Sequence, residues 1–290
     1  MTFPSLAHET LGRRFLADLR TRADRAAASR HGFEFLMFGL KQAWACLFGG
    51  TMLALLVGTH LLWSALWPDG GAPIARYDVL VVGALAIQAT MLALKLESWD
   101  EARVIFLFHV VGTAMEVFKT AHGSWIYPEA SLLRIGGVPL FTGFMYAAVG
   151  SYIARVQRVF DIRFRHYPPL WTTWALAAAI YVNFFTHHWL PDIRLGLFVA
   201  TAALFGRGWF YFTPDRTRRS MPFLLGFLLV ALFIWFAENL GTYARAWTYP
   251  DQADGWTPVS IAKLGSWFLL MMISVVLVSL VHPPEPETSG

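Results

Sequence analysis

Two glutamates stand inside apolar, helix-length runs, where a carboxylate is costly to hold. Glu116 is followed by Trp125, Tyr127, Pro128 and Glu129, and the same order returns 122 residues later as Glu238, Trp247, Tyr249, Pro250 and Asp251. The register is ungapped, aligns Thr120 with Thr242, and holds as far as Gly143 and Gly265. An ionisable side chain within a membrane segment marks a functional site by default. Two carboxylates that meet in low dielectric cannot easily both ionise, which leaves a proton donor beside an anion. General acid–base chemistry needs that arrangement, so Glu116 and Glu238 are the candidate catalytic pair. The plainer alternative gives each Glu a local partner (Lys119, Arg245 or Asn239) and a packing role alone.

Other residues gather around the pair by spacing. On a helix, His109, Thr113, Glu116 and Thr120 share one face, and the matching face around Glu238 carries Thr242, with Asn239 beside it. At ~1.5 Å rise per residue each Glu lies ~13 Å along the helix from its Trp. Trp125, Tyr127, Trp247 and Tyr249 read either as an interfacial aromatic belt or as the lining of a binding site. Asn183 and His187 fall at i and i+4 near the end of another apolar run, with His188 and Asp192 close by. Their spacing matches no metal-ligand pattern, so no metal is expected. The candidate substrate-binding set is His109, Thr120, Trp125, Tyr127, Asn183, His187, Asn239, Thr242, Trp247 and Tyr249.

Composition says what holds these residues in place. The 290 residues are 56% hydrophobic and 14% charged, with 13 Trp and 24 Phe, against roughly 25% charged in a soluble domain. The expected fold is an all-α, polytopic membrane helix bundle of about eight spans: 41–66, 77–96, 102–120, 137–156, 171–190, 193–212, 222–244 and 259–281. The third and fourth spans would repeat as the seventh and eighth, in parallel orientation. A cytoplasmic amphipathic helix over 1–33 precedes two four-helix halves, 34–165 and 166–282, and an unstructured tail, 283–290. Arginines and lysines concentrate in alternate loops, which predicts both termini in the cytoplasm. The charged turn Glu97–Arg103 reads as a salt-bridged loop, and Gly136, Gly137, Gly143 and Gly150 in the fourth span suit close helix packing. A lone cysteine, Cys46, excludes an intrachain disulfide. No nucleotide motif or cofactor site is present, and the charge of +4 lies in short loops, so no nucleic acid is expected.

The stretch Glu97-Ser-Trp-Asp-Glu-Ala-Arg103, Glu116, Gly123-Ser-Trp-Ile-Tyr-Pro128, Gly136-Gly-Val-Pro-Leu140 and Gly150–Arg155 resembles the bacterial membrane family called domain-of-unknown-function family 817. That implies a bacterial cytoplasmic-membrane protein and no particular activity. More distantly, Glu116, Gly123, Trp125, Tyr127 and Gly137-Val-Pro139 look like the membrane carotenoid hydratases and small-subunit lycopene cyclases, which protonate polyenes with intramembrane acids. The paired acids of the cyclases are absent here, since Leu140 and Phe141 follow Pro139. The leading expectation is a membrane-embedded enzyme of hydratase, isomerase or cyclase-like lyase type, acting on a lipid or isoprenoid. A proton-coupled transporter or channel using the same Glu pair, and a non-catalytic lipid binder, stay open. The expected partners are membrane lipids and an apolar small molecule, and self-association into a homo-oligomer is left open.

Overall fold

A computed structural model describes residues 30–287. The basic helix expected within 1–33 falls almost wholly outside them. Nine α-helices appear among the described residues: α1 (Arg30–Ala45), α2 (Leu47–Leu66), α3 (Arg76–Ala93), α4 (Trp99–Ala121), α5 (Phe141–Val159), α6 (Leu170–Thr186), α7 (Arg194–Phe205), α8 (Phe223–Tyr243) and α9 (Ala262–Ser279). Five of them, α2, α3, α4, α8 and α9, are long and apolar enough to cross a membrane, while α6 and α7 are shorter apolar helices.

Each helix starts and stops for local reasons. Ser98 caps α4 by accepting from Glu101 N–H at 3.2 Å, and the Glu101 carboxylate returns the bond from Ser98 N–H at 2.9 Å. This reciprocal box satisfies two N–H groups that a helix start leaves open. Between α4 and α5, a hairpin of β1 (Arg134–Ile135) and β2 (Val138–Pro139) turns through Gly136 and Gly137, both at positive φ. Two consecutive positive φ values suit the tight turn that the hairpin needs. The helices α4 and α5 then lie close: a Cβ on Gly143 would come within 2.4 Å of His109 Nδ1, and one on Gly150 within 2.5 Å of the Phe108 ring.

The all-α expectation is corrected at one end of the bundle. The stretch 193–212 is not a single span: α7 stops at Phe205, and Trp209–Phe212 forms β4. This strand pairs antiparallel with β3 (Arg163–Arg165) on one side and β5 (Arg219–Pro222) on the other. Gly206 and Gly208 weaken helix propagation, and a Cβ on Gly208 would lie 1.7 Å from the Phe223 ring. The backbone passes that ring only without a side chain. Phe164 of β3 and Phe210 of β4 then pack stacked and edge to face against Phe223, which stacks on Phe227. Residues in the stretch expected to be a free tail run along β3, with Phe164 N–H bonded to Glu285 O and Glu287 N–H to Phe164 O, each at 2.9 Å.

The charged turn finds its partners on α5. Arg155 is fully buried and reaches Glu97 at 3.1 Å, and Arg158 reaches Glu101 at 2.9 Å. Only Arg103 and Asp100 form the exposed local pair, at 2.7 Å. Burial pushes the Glu97 carboxyl above the usual carboxylate range, with Arg155 opposing it. Removing one partner of a buried ion pair strands the other. Arg155→Ala should therefore destabilise the protein by about 3–5 kcal/mol, on the scale of other broken buried pairs. Arg103→Ala, at an exposed site, should change it by less than about 1 kcal/mol. Thermal unfolding of both variants in detergent checks the contrast.

Candidate functional site

The two glutamates are each wrapped by aromatic donors. Glu116, on α4, is 4% exposed. Its Oε2 accepts from the Trp125 indole at 2.7 Å and from the Tyr127 hydroxyl, while Oε1 accepts from the Tyr146 hydroxyl at 2.7 Å. Glu238, on α8 and also 4% exposed, accepts from the Tyr249 hydroxyl through Oε1 and from the Trp267 indole through Oε2 at 2.7 Å. An indole N–H can only donate, so the carboxyl oxygens it meets are acceptors. Burial first, and the neighbouring Glu second, hold the Tyr127 and Tyr249 phenols well above the ordinary tyrosine value. Both phenols therefore stay protonated and donate.

Among the described residues, neither Glu pairs with a cation. Asn239 bonds instead to the Trp235 carbonyl and the Val259 N–H, and Lys119 lies against two histidines. The partners of the two glutamates are thus aromatic side chains, in place of the expected Lys119, Arg245 or Asn239. Trp247, the counterpart of Trp125 in the 122-residue register, does not reach Glu238. It packs on Gly241, where a Cβ would collide with its ring.

Loops bring the two glutamates together. Ile126 and Thr248 form an antiparallel bridge, with Ile126 N–H to Thr248 O at 3.0 Å and the reverse bond at 2.9 Å. Buried Arg76, at the start of α3, grips both loops, bonding Glu129 through Nε at 2.9 Å and the Arg245 carbonyl through Nη2 at 3.1 Å. Rings then connect the two sides: Trp125 to Tyr249 at 6.0 Å, and Tyr146 to Trp267 at 6.1 Å. Lys263, near the start of α9, sits 4.1 Å above the Tyr249 ring and 5.5 Å from that of Trp125.

A cavity of about 960 Å³ is lined by Glu116, Trp125, Tyr127, Tyr146, Glu238, Trp247, Tyr249, Lys263 and Trp267. Its body continues along apolar side chains, among them Val149, Phe227 and Val230, toward Phe210 and Phe212 of β4. Of the remaining sequence candidates, His187 lines it, while His109, Thr120, Asn183, Asn239 and Thr242 lie outside its lining. Asn183 bonds Asp192 and the Ile193 N–H at the start of α7, and Thr242 accepts from the Trp256 indole. Tyr146, Trp267 and Lys263 escaped the sequence reading. In the 122-residue register Tyr146 falls opposite Phe268 and Trp267 opposite Met145, so the recurrence that exposes the glutamates hides these donors.

Five membrane-length apolar helices packed around a buried polar site define a multi-pass membrane protein. The chain belongs to the family described as "Protein of unknown function (DUF817)", whose model matches residues 34–275. It is 40% identical over 255 residues to YoaT of Bacillus subtilis (strain 168), described as an uncharacterised protein, across 88% of this chain and 94% of YoaT. Among solved structures, a cross-linked MvINS trimer is 14% identical with a TM-score of 0.48, over 66% of this chain and 98% of that one. That likeness is below the level at which a shared fold is read.

The loop bridge is open to direct measurement. Residues that exchange both backbone bonds across an antiparallel pair have Cα atoms about 5.5 Å apart, within the range a disulfide spans. In a Cys46→Ala background, Ile126→Cys with Thr248→Cys should oxidise to a cross-link that holds the fragments together after cleavage between them. Two thiols that both stay open to alkylation would contradict the bridge.

Proposed function

We propose that the chain is a membrane-embedded enzyme that works by acid–base chemistry on an elongated apolar substrate of the lipid or isoprenoid class. One observation carries this reading: both buried carboxyl groups line a single cavity whose long body is apolar. One carboxyl group gives a proton and the other takes one. The phenols of Tyr127, Tyr146 and Tyr249 hold the carboxyl oxygens in place, and the aromatic faces around them stabilise positive charge that develops on the substrate. Closing the substrate away from water strengthens each of these interactions.

The same reading takes the two halves, 34–165 and 166–282, as a parallel repeat about an axis along the membrane normal. Ile126 and Thr248 are separated by the 122 residues that separate the glutamates, and they bond each other reciprocally. Reciprocal antiparallel pairing of matched residues supports a local two-fold between them. Each Glu also bonds the Tyr that follows it by 11 positions. The arginine-rich loops lie with the sheet, which supports a cytoplasmic sheet end and an outer Trp125/Trp247 end in the bacterial inner membrane.

A transport reading has its own support, because the cavity lining runs from Ser124 and Arg194 at one end to Gln157 and Phe212 at the other. One set of variants separates the two. Lipid extracts of cells with and without the protein should differ in an isoprenoid or other lipid. Glu116→Gln and Glu238→Gln should each cut that conversion by roughly 10²–10⁴-fold, the scale of lost general acid–base catalysis, with the fold kept. Trp125→Phe should be milder, since the ring stays and only the donor is lost. If no lipid changes, and purified protein in vesicles moves protons or solute in a Glu-dependent way, the transport reading replaces the enzyme.

A further inference from the structure

The cavity's polar end holds two lysines that form no ion pair among the described residues. Lys119 is 4% exposed, yet no carboxylate among the described residues forms an ion pair with it. Its ammonium lies 3.3 Å from His188 Nε2 and 3.5 Å from His187 Nε2. His187 Nδ1 is 3.0 Å from the Asn183 carbonyl, an acceptor that fixes the proton on Nδ1. That leaves Nε2 as an acceptor facing Lys119. The Lys119 ammonium thus lies against two imidazoles and, at 5.3 Å, the Phe184 ring, with no ion-pair partner among the described residues. His187, held by the Asn183 backbone carbonyl, thus orients a lysine.

Lys263 is the second such group, resting on the Tyr249 and Trp125 rings without an ion pair of its own among the described residues. Arg194 is the third, and its charge is partly met by Asp192 at 3.1 Å. Lys119, Lys263 and Arg194 all line the cavity and lie within electrostatic reach of one another, and Glu238, Glu116 and Asp251 lie within reach of Lys263 as well. Three like charges gathered at one rim repel, and the cost is recovered when an anion sits among them. An ammonium is a compact point charge that suits a phosphate oxygen.

We infer that the cavity takes an anionic amphiphile, a long-chain phosphate ester, with its phosphate held by Lys119, Lys263 and Arg194 and its hydrocarbon chain lying in the apolar body. This rests on the apolar-cavity reading above and adds the headgroup to it. The phosphate would anchor the molecule at one end, so that a fixed segment of the chain lies beside Glu116 and Glu238. The volume of about 960 Å³ is near the upper end of ordinary ligand pockets, as a tail of this kind requires.

The test uses the purified full-length protein in neutral detergent, with labelled hexadecyl phosphate, hexadecanol and inorganic phosphate as probes. Hexadecyl phosphate should bind saturably and about tenfold or more tighter than hexadecanol, the scale of one or two charge-assisted hydrogen bonds. Inorganic phosphate should fail to displace it at matching concentration. Lys263→Gln, on a half-buried residue, should bring hexadecyl phosphate close to the hexadecanol affinity and leave hexadecanol unchanged. Lys119→Gln should do the same, and Lys263→Gln keeps the test sound if the buried Lys119 variant does not fold. Equal binding of both lipids, or a Lys263→Gln protein with full preference, overturns the headgroup and leaves the apolar cavity standing. Displacement by inorganic phosphate alone overturns the lipid source in favour of a soluble anion. Binding of neither lipid defeats the cavity reading itself.

Discussion

A carboxylate in the apolar interior must be given hydrogen bonds, because the alternative is a desolvated charge with nothing to stabilise it. Around Glu116 that requirement is met without a cation. Trp125 and Tyr127 come from the loop after α4 and Tyr146 from α5, so one side chain draws a helix, a loop and the next helix to a single point. Glu238 does the same for α8, the loop at Tyr249 and α9. The arrangement of the loop end follows from these two demands, with Arg76 and the Ile126–Thr248 bridge holding the loops where the donors must be.

The opposite end is held by charge and by rings. Glu97 and Glu101 meet Arg155 and Arg158 in an almost dry cluster, which fixes the start of α4 against the end of α5. The sheet β3–β4–β5 then closes over the phenylalanines of α8. The cavity's apolar body runs between these two ends.

Long apolar runs were legible in the sequence because a helix that crosses hydrocarbon must satisfy its own backbone; the glutamates were legible because carboxylates interrupt such runs. The strand β4 was not, since Trp209-Phe-Tyr-Phe212 is as apolar as the helix before it, and only its pairing partners far along the chain make it a strand. Tyr146 and Trp267 were hidden for the same reason. They lie 30 and 29 residues from the carboxylates they bond, a relation set by how helices pack and not by spacing. His187 was visible by its spacing from Asn183, but its partner, Lys119, comes from another helix.

The two carboxyl groups match in position and differ in company. Glu116 has three donors and Glu238 two; the third donor to Glu116 is a phenol, while an α9 indole reaches Glu238. A molecule lying between them meets two unlike faces. The cavity therefore has a front and a back, and a chain bound within it would meet a different set of donors on each side.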